Sequence, residues 1–212
     1  MPAQQKPEIG ADRLDRITIK MRQLCCIMGI ISFDIRLCRR LDYPQMPESD
    51  AKLKLLAARV GQRLLKAQRC VATAESCTGG WIAKALTDTA GSSQWFSEGF
   101  VTYSNESKTR RLGVPRAILD KNGAVSEQTV RAMASGALRR TKAQIAVAVT
   151  GIAGPDGAVP GKPVGTVWLG WATWYGVAVR VTTQLRHFRG DRDAVRRKTV
   201  RAALEGLRPR PR

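Results

Sequence analysis

Residues 70–80 read CVATAESCTGG. Cys70 to Ala74 is a short apolar run of the length and composition of a buried strand. It gives way within one residue to a turn holding a carboxylate, a hydroxyl, a thiol, a second hydroxyl and two glycines: Glu75, Ser76, Cys77, Thr78, Gly79 and Gly80. After it, Trp81, Ile82, Ala85 and Leu86 recur at helical spacing. The stretch therefore reads as strand, tight turn and helix, and the turn holds more reactive groups than a plain connection needs.

Working outward, Leu53, Leu56, Ala57, Val60, Leu64 and Leu65 lie on one helical stripe, with Ser49 placed to cap it. Downstream, Phe96 to Tyr103 reads as a strand entering a polar loop, and Asn105 to Leu112 as a short helix. Val125 to Arg140 reads as a longer helix capped at Ser126. The run AQIAVAVTG, residues 143–151, is continuously apolar, as in strands covered on both faces. It ends in a second glycine-rich turn, TGIAGPDG, residues 150–157. Two alternating segments, VGTVWLGWAT (164–173) and GVAVRVTTQL (176–185), suit an antiparallel hairpin reversing at Trp174, Tyr175 and Gly176. A last helix is expected over Arg192 to Leu207. This order of elements predicts an α/β fold with a mixed, mostly parallel sheet and helices on both faces. Ligands of such sheets collect beyond the carboxyl ends of the parallel strands, which is where both glycine-rich turns fall.

The chain has 212 residues, enough for a self-sufficient core. With 43% hydrophobic and 25% charged residues it has the balance of a globular protein. Five cysteines at irregular spacing, without a CxxC pair, suit neither a disulfide framework nor a zinc site and point to a reducing cytoplasm. The net charge of +19 favours anionic partners, whether nucleic acid, phosphorylated metabolites or a membrane surface. Much of that charge sits near the C-terminus without interleaved aromatics, and no helix-turn-helix, zinc-finger or RNA-recognition signature accompanies it. The apolar stretch Leu24 to Phe33 is too short to span a bilayer. Residues 1–45 lack sustained periodicity and end at a proline-rich boundary, with Met46 as an alternative start. They read as an N-terminal extension ahead of one domain over 46–208, with a basic tail at 209–212.

The chemistry centres on Ser76. At a strand-to-helix junction its hydroxyl sits beside unpaired backbone N–H groups, so the amides of Cys77 to Gly80 are candidates to hold an oxyanion. An ordinary helix cap accounts for the same residue equally well. Cys77 is a rival nucleophile, since a thiol at a helix N-terminus has a lowered pKa. The chain has one histidine, His187, far along the sequence, so a serine enzyme here needs a lysine base. Lys108, one helical turn beyond Ser104 and Asn105, supplies one if it is desolvated, with Tyr103 placed to bridge it to Ser76; a solvated surface lysine is the plainer alternative. The TGIAGP turn matches neither the GxxxxGK[ST] loop nor the GxGxxG pattern. No metal-ligand spacing appears, and no metal is expected.

Six blocks in order, TAESCTGG, GSSQWFSEGFVTYSNESK, GAVSE, TGIAGPDG, KPVGTV and FRGDRDAVR, resemble the CinA C-terminal domain family. The resemblance covers about three quarters of the chain. Stand-alone bacterial members of that family are nicotinamide-nucleotide amidohydrolases. It implies a three-layer α/β/α sandwich, hydrolysis of the carboxamide of nicotinamide mononucleotide to the acid and ammonia, and a homo-oligomer without a cofactor. Carried over by position, it implies Ser76 as nucleophile and Lys108 as base with Tyr103 beside it. Substrate contacts are expected from Glu75, Thr78, Gly79, Gly80 and Asn105. Thr150, Gly151, Gly154 and Arg192 are candidates for the phosphate. Tight-turn geometry for the glycines, and an ion pair with Asp191 or Asp193 for Arg192, are the plainer alternatives. Glu75 is a candidate either to orient Lys108 or to bind the ribose. A non-catalytic protein of the same fold that contacts nucleic acid is the competing reading.

Overall fold

The computed structural model describes residues 50–208. The expected extension at 1–45, the alternative start Met46, the cap at Ser49 and the tail at 209–212 lie outside the described residues. The elements run α1 (Asp50–Lys66), β1 (Val71–Glu75), α2 (Trp81–Thr87), β2 (Phe96–Val101), α3 (Asn105–Leu112), α4 (Arg116–Asn122), α5 (Glu127–Arg140), β3 (Ile145–Gly151), β4 (Thr166–Tyr175), β5 (Ala178–His187) and α6 (Arg192–Glu205). The strands form one sheet in the order β2-β1-β3-β4-β5. β2, β1 and β3 are mutually parallel, whereas β4 is antiparallel to both β3 and β5. Four of the five strands thus point the same way, as the mixed, mostly parallel reading requires.

The two faces of the sheet are built differently. Val71, Ile145, Val147, Val149, Val167 and Leu169 face α1, α2 and α6 in one apolar cluster. The alternate positions Ala72, Ala74, Ala146, Ala148 and Ala172 face α3, α4 and α5 in the other. Period-two alternation sorts bulky side chains to one layer and methyl groups to the other. The small side lets α5 come close to the backbone: a β-carbon at Gly170 would stand 3.2 Å from the Val130 carbonyl. α5 also presses on α3, where a side chain at Gly136 would collide with the backbone carbonyl of Leu112. The result is the three-layer α/β/α sandwich.

Element boundaries follow local chemistry. Ser126 accepts from Thr129 N–H at 3.2 Å and Asp191 from Ala194 N–H at 2.8 Å, capping α5 and α6. The hairpin between β4 and β5 turns at Gly176 and Val177, two residues later than Trp174. α4 has no counterpart among the expected helices. Its signal is the bracket of Pro115 at one end and Gly123 in a positive-φ conformation at the other.

Candidate active site

β1 and β2 end level with one another, Glu75 pairing with Val101, and β3, which meets Glu75 at Val149, runs two residues further to Gly151. The segments that follow, Ser76–Gly80, Thr102–Ser104 and Ile152 onward, therefore leave the sheet at one edge. Ser76 is 9% exposed, and its N–H donates to the Val149 carbonyl at 3.1 Å. Gly79 N–H closes a turn onto Ser76 O at 3.0 Å. Gly79 and Gly80 then take φ of 62° and 93°, a left-handed pair that side chains resist.

Lys108 enters from α3. Ser104 caps that helix by accepting from Ser107 N–H at 3.0 Å, and Lys108 and Leu112 form its buried face. Lys108 is only 1% exposed. Its Nζ lies 3.2 Å from Ser76 Oγ, 3.0 Å from Thr102 O and 3.1 Å from Tyr103 O. Among the described residues no carboxylate contacts this amine. Burial without a counter-ion disfavours the ammonium, so its pKa is pushed down from the ordinary value of 10.5, with only a weak opposing influence from Cys77. In the neutral form the two carbonyls take the two N–H groups, which leaves the lone pair directed at the Ser76 hydroxyl.

Cys77 is not built as a nucleophile. Its side chain is 6% exposed in the core cluster, and burial pushes its thiol up to about 12, the reverse of the lowering expected from a helix N-terminus. The helix end is itself occupied. Glu75, fully buried, accepts from Thr78 Oγ1 at 2.7 Å, Ile82 N–H at 2.9 Å and Ala83 N–H at 2.8 Å. Burial raises the Glu75 pKa, against the lowering influence of these bonds. The carboxylate caps α2, so the expected contact of Glu75 with Lys108 or with a ribose is replaced by a structural bond. The same cap removes the first helical amides from the oxyanion candidates. Of the turn amides, those of Cys77, Thr78 and Gly80 have no backbone acceptor among the described residues, and Gly80 N–H is taken by the Glu75 carboxylate, which leaves Cys77 and Thr78 as the oxyanion candidates.

Tyr103 is 59% exposed, and its hydroxyl lies 2.9 Å from Arg192 Nη2. Only its carbonyl meets Lys108, so the expected hydroxyl bridge between Ser76 and Lys108 is absent. Arg192 also donates from Nη1 to Gly154 O at 2.7 Å, whereas Asp191 caps α6 and Asp193 pairs with Arg197. The surface-pair alternative for Arg192 therefore falls away. Thr150 is buried, with its hydroxyl donated to Ala124 O at 2.8 Å. A β-carbon at Gly151 would come within 2.7 Å of Val167, so strand approach alone requires glycine there. Gly154 has φ of 82°, and Asn105 opens α3 with its side chain exposed. His187 meets Thr166 Oγ1 at 3.3 Å and has no recorded contact with Ser76.

Sequence reasoning passed over Arg196. It reaches from α6 to the turn that follows Ser76, donating from Nε to Cys77 O at 3.2 Å and from Nη2 to Thr78 O at 2.8 Å. Its i,i+4 spacing from Arg192 in FRGDRDAVR is the signal that places both on one helical face. Arg197 is held by Asp50 and Asp193 and lies over the Trp81 ring. The basic helix thus commits Arg196 and Arg197 to its own chain, which weakens the nucleic-acid reading. Among the described residues no cluster of His, Cys, Asp and Glu has the makings of a metal site, and no helix is long and apolar enough to cross a membrane.

Comparison with known proteins gives one consistent result. A nicotinamide-nucleotide amidohydrolase, PncC, of Pseudomonas putida is 56% identical over 152 residues, covering 72% of this chain and 92% of that protein. The protein of the same name from Escherichia coli K12 is 52% identical over 159 residues, 75% of this chain and 94% of the relative. The crystal structure of a competence/damage inducible protein from Agrobacterium tumefaciens superposes with a TM-score of 0.69 at 46% identity, over 76% of this chain and 94% of that one. Residues 53–210 match the CinA C-terminal domain. The chain belongs to the CinA C-terminal domain family.

Proposed function

We propose that this chain hydrolyses the carboxamide of nicotinamide mononucleotide to nicotinate mononucleotide and ammonia. Identity above 50% to proteins named for that reaction, across nearly their whole length, supports the substrate. The observation that carries the mechanism is the buried, counter-ion-free contact between Lys108 and Ser76. The neutral Lys108 amine takes the Ser76 proton as the serine oxygen bonds to the carboxamide carbon. The C–O π pair moves onto oxygen, and turn amides hold that oxyanion. As the oxyanion reforms its carbonyl, the C–N bond breaks and Lys108 returns the proton to nitrogen, releasing ammonia and leaving a Ser76 ester. Water, deprotonated by the same amine, attacks the ester and yields the acid with Ser76 restored. Every step is a proton or acyl transfer among this chain, its substrate and water, so the cycle calls for no cofactor.

Arg192 and the Tyr103 hydroxyl are assigned to the phosphate, with Gly154, Asn105 and the turn at Thr78, Gly79 and Gly80 bordering the substrate. Thr150 and Gly151 support the second turn from behind. The amidohydrolase unit is assigned to residues 46–208, acting as a homo-oligomer in the reducing cytoplasm. The test is ammonia release from nicotinamide mononucleotide by the full chain and by Ser76→Ala. Release by the native chain alone supports the reading; no release, or equal release by the variant, removes it.

A further inference from the structure

The turn after Ser76 contains a peptide unit, Cys77–Thr78, whose direction sets one of the two candidate oxyanion donors. Gly79 N–H bonds to Ser76 O, so Cys77 and Thr78 are the central residues of a β-turn. The unit joining them can rotate by about half a turn, from the type I to the type II form, without breaking the closing bond. That rotation reverses the Thr78 N–H. Type II needs positive φ at Thr78, a strained region for a β-branched residue, and Thr78 does not adopt it here. Arg196 adds a second restraint. Its Nε holds the Cys77 carbonyl at 3.2 Å and its Nη2 holds the Thr78 carbonyl at 2.8 Å. In a trans peptide C=O and N–H point in opposite directions, so fixing the Cys77 oxygen toward α6 turns the Thr78 N–H away from it.

We propose that Arg196 is a positioning residue for the reaction: it aims the Thr78 amide at the oxygen of the tetrahedral intermediate and strengthens it as a donor, without touching substrate. The strengthening comes from a cation on the carbonyl end of the peptide, which draws electron density from the N–H end. Glu75 in turn accepts from the Thr78 hydroxyl at 2.7 Å, so the residue is held through both its side chain and its carbonyl. Arg196 is itself steadied 5.3 Å from the centre of the Trp81 ring. Two carbonyls and a ring suit the planar fork of a guanidinium, which the point charge of a lysine lacks.

The inference rests on the serine reading above, and its test separates the two. Arg196→Gln, Arg196→Lys and Ser76→Ala are compared with the native chain for kcat and KM on nicotinamide mononucleotide. Affinity is measured for the planar product, nicotinate mononucleotide, and for pyridine-3-boronic acid, which forms a tetrahedral anion on a serine oxygen. Arg196→Gln is expected to lower kcat by about 10- to 100-fold. Boronate affinity should weaken in parallel, while KM and product affinity stay within about threefold, the pattern of a loss confined to the transition state. Arg196→Lys should fall between the two. Unchanged kcat in Arg196→Gln, a fall shared equally by product binding, or full boronate affinity beside a lowered kcat would each overturn the proposal. Ammonia release by Ser76→Ala is a different result, which removes the serine reading itself.

Discussion

Lys108 Nζ and Ser76 Oγ stand 3.2 Å apart although 32 residues separate them in the chain. Adjacent parallel strands end level at Glu75 and Val101, so the residues that follow each strand meet at the sheet's edge. Replacing either partner should remove the reaction while leaving the fold. Ser76→Ala is expected to cut ammonia release by at least about a thousandfold, with nicotinate mononucleotide still binding in a calorimetric titration.

Lys108→Arg should be as inactive as Lys108→Ala, because a guanidinium keeps its proton at any working pH. With Lys108 as the proposed base, the neutral amine is the form that acts, and burial lowers its pKa. The kcat/KM profile should therefore rise with pH to a plateau, with its midpoint below 10.5, and Lys108→Ala should lack that limb. Stability follows the same sign. The unfolded chain holds the Lys108 proton more tightly than the native one, so this group adds stability as pH climbs from its native pKa toward 10.5. A profile falling across that range would contradict the assignment of Lys108 as base.

Cys77 should be silent. With its thiol pushed up to about 12 and its side chain in the core, iodoacetamide at pH 7.5 should leave Cys77 unmodified in the native protein. Peptide mass mapping reads this directly. Cys77→Ala should retain turnover within about threefold, at a stability cost of about 1 kcal/mol.

Tyr103 and Arg192 should act on binding rather than on chemistry. Tyr103→Phe removes a hydroxyl that meets Arg192 and leaves the carbonyl that meets Lys108. It is expected to raise KM a few-fold at nearly constant kcat. Arg192→Ala should raise KM by about tenfold or more, since a charge-assisted phosphate contact contributes about 1.5–3 kcal/mol. A kcat loss confined to Tyr103→Phe would return the tyrosine hydroxyl to the chemistry.

Gly136→Ala tests the seating of the lysine. Its added methyl has no room against the Leu112 carbonyl at the end of α3. The strain should cost about 1–3 kcal/mol, measured by denaturant unfolding. Because α3 carries Lys108, kcat should fall as well even though residue 136 is remote from substrate.

Much of this was legible in the sequence, for identifiable reasons. The stretch at 70–80 fixed strand, turn and helix because an apolar run, a reactive turn and a 3.6-residue period leave little choice. The scarcity of histidine and the place where parallel strands end made Ser76 and Lys108 candidates, the family resemblance singled them out, and their side chains do meet at 3.2 Å. Glu75 was misread because a carboxylate at that position suits a ribose as well as it suits the first turn of a helix. Only coordinates show its oxygens on Ile82 and Ala83 N–H. The Tyr103 hydroxyl was placed wrongly because Tyr103 lies in the loop ahead of the Ser104 cap of α3, where no regular period fixes which way a side chain faces. Arg196 was passed over because its target lies 119 residues away, a separation no local pattern encodes.

The Glu75 cap also divides labour within the protein. A helix whose positive end is closed by its own chain offers no cradle to a nucleotide's phosphate, so that group must be gripped by side chains from other segments. In the proposed reading, bond cleavage and phosphate recognition are then carried by separate parts of the chain. Substitutions around Gly154 and Arg192 would there retune affinity for the phosphate-bearing end while Ser76 and Lys108 keep their contact.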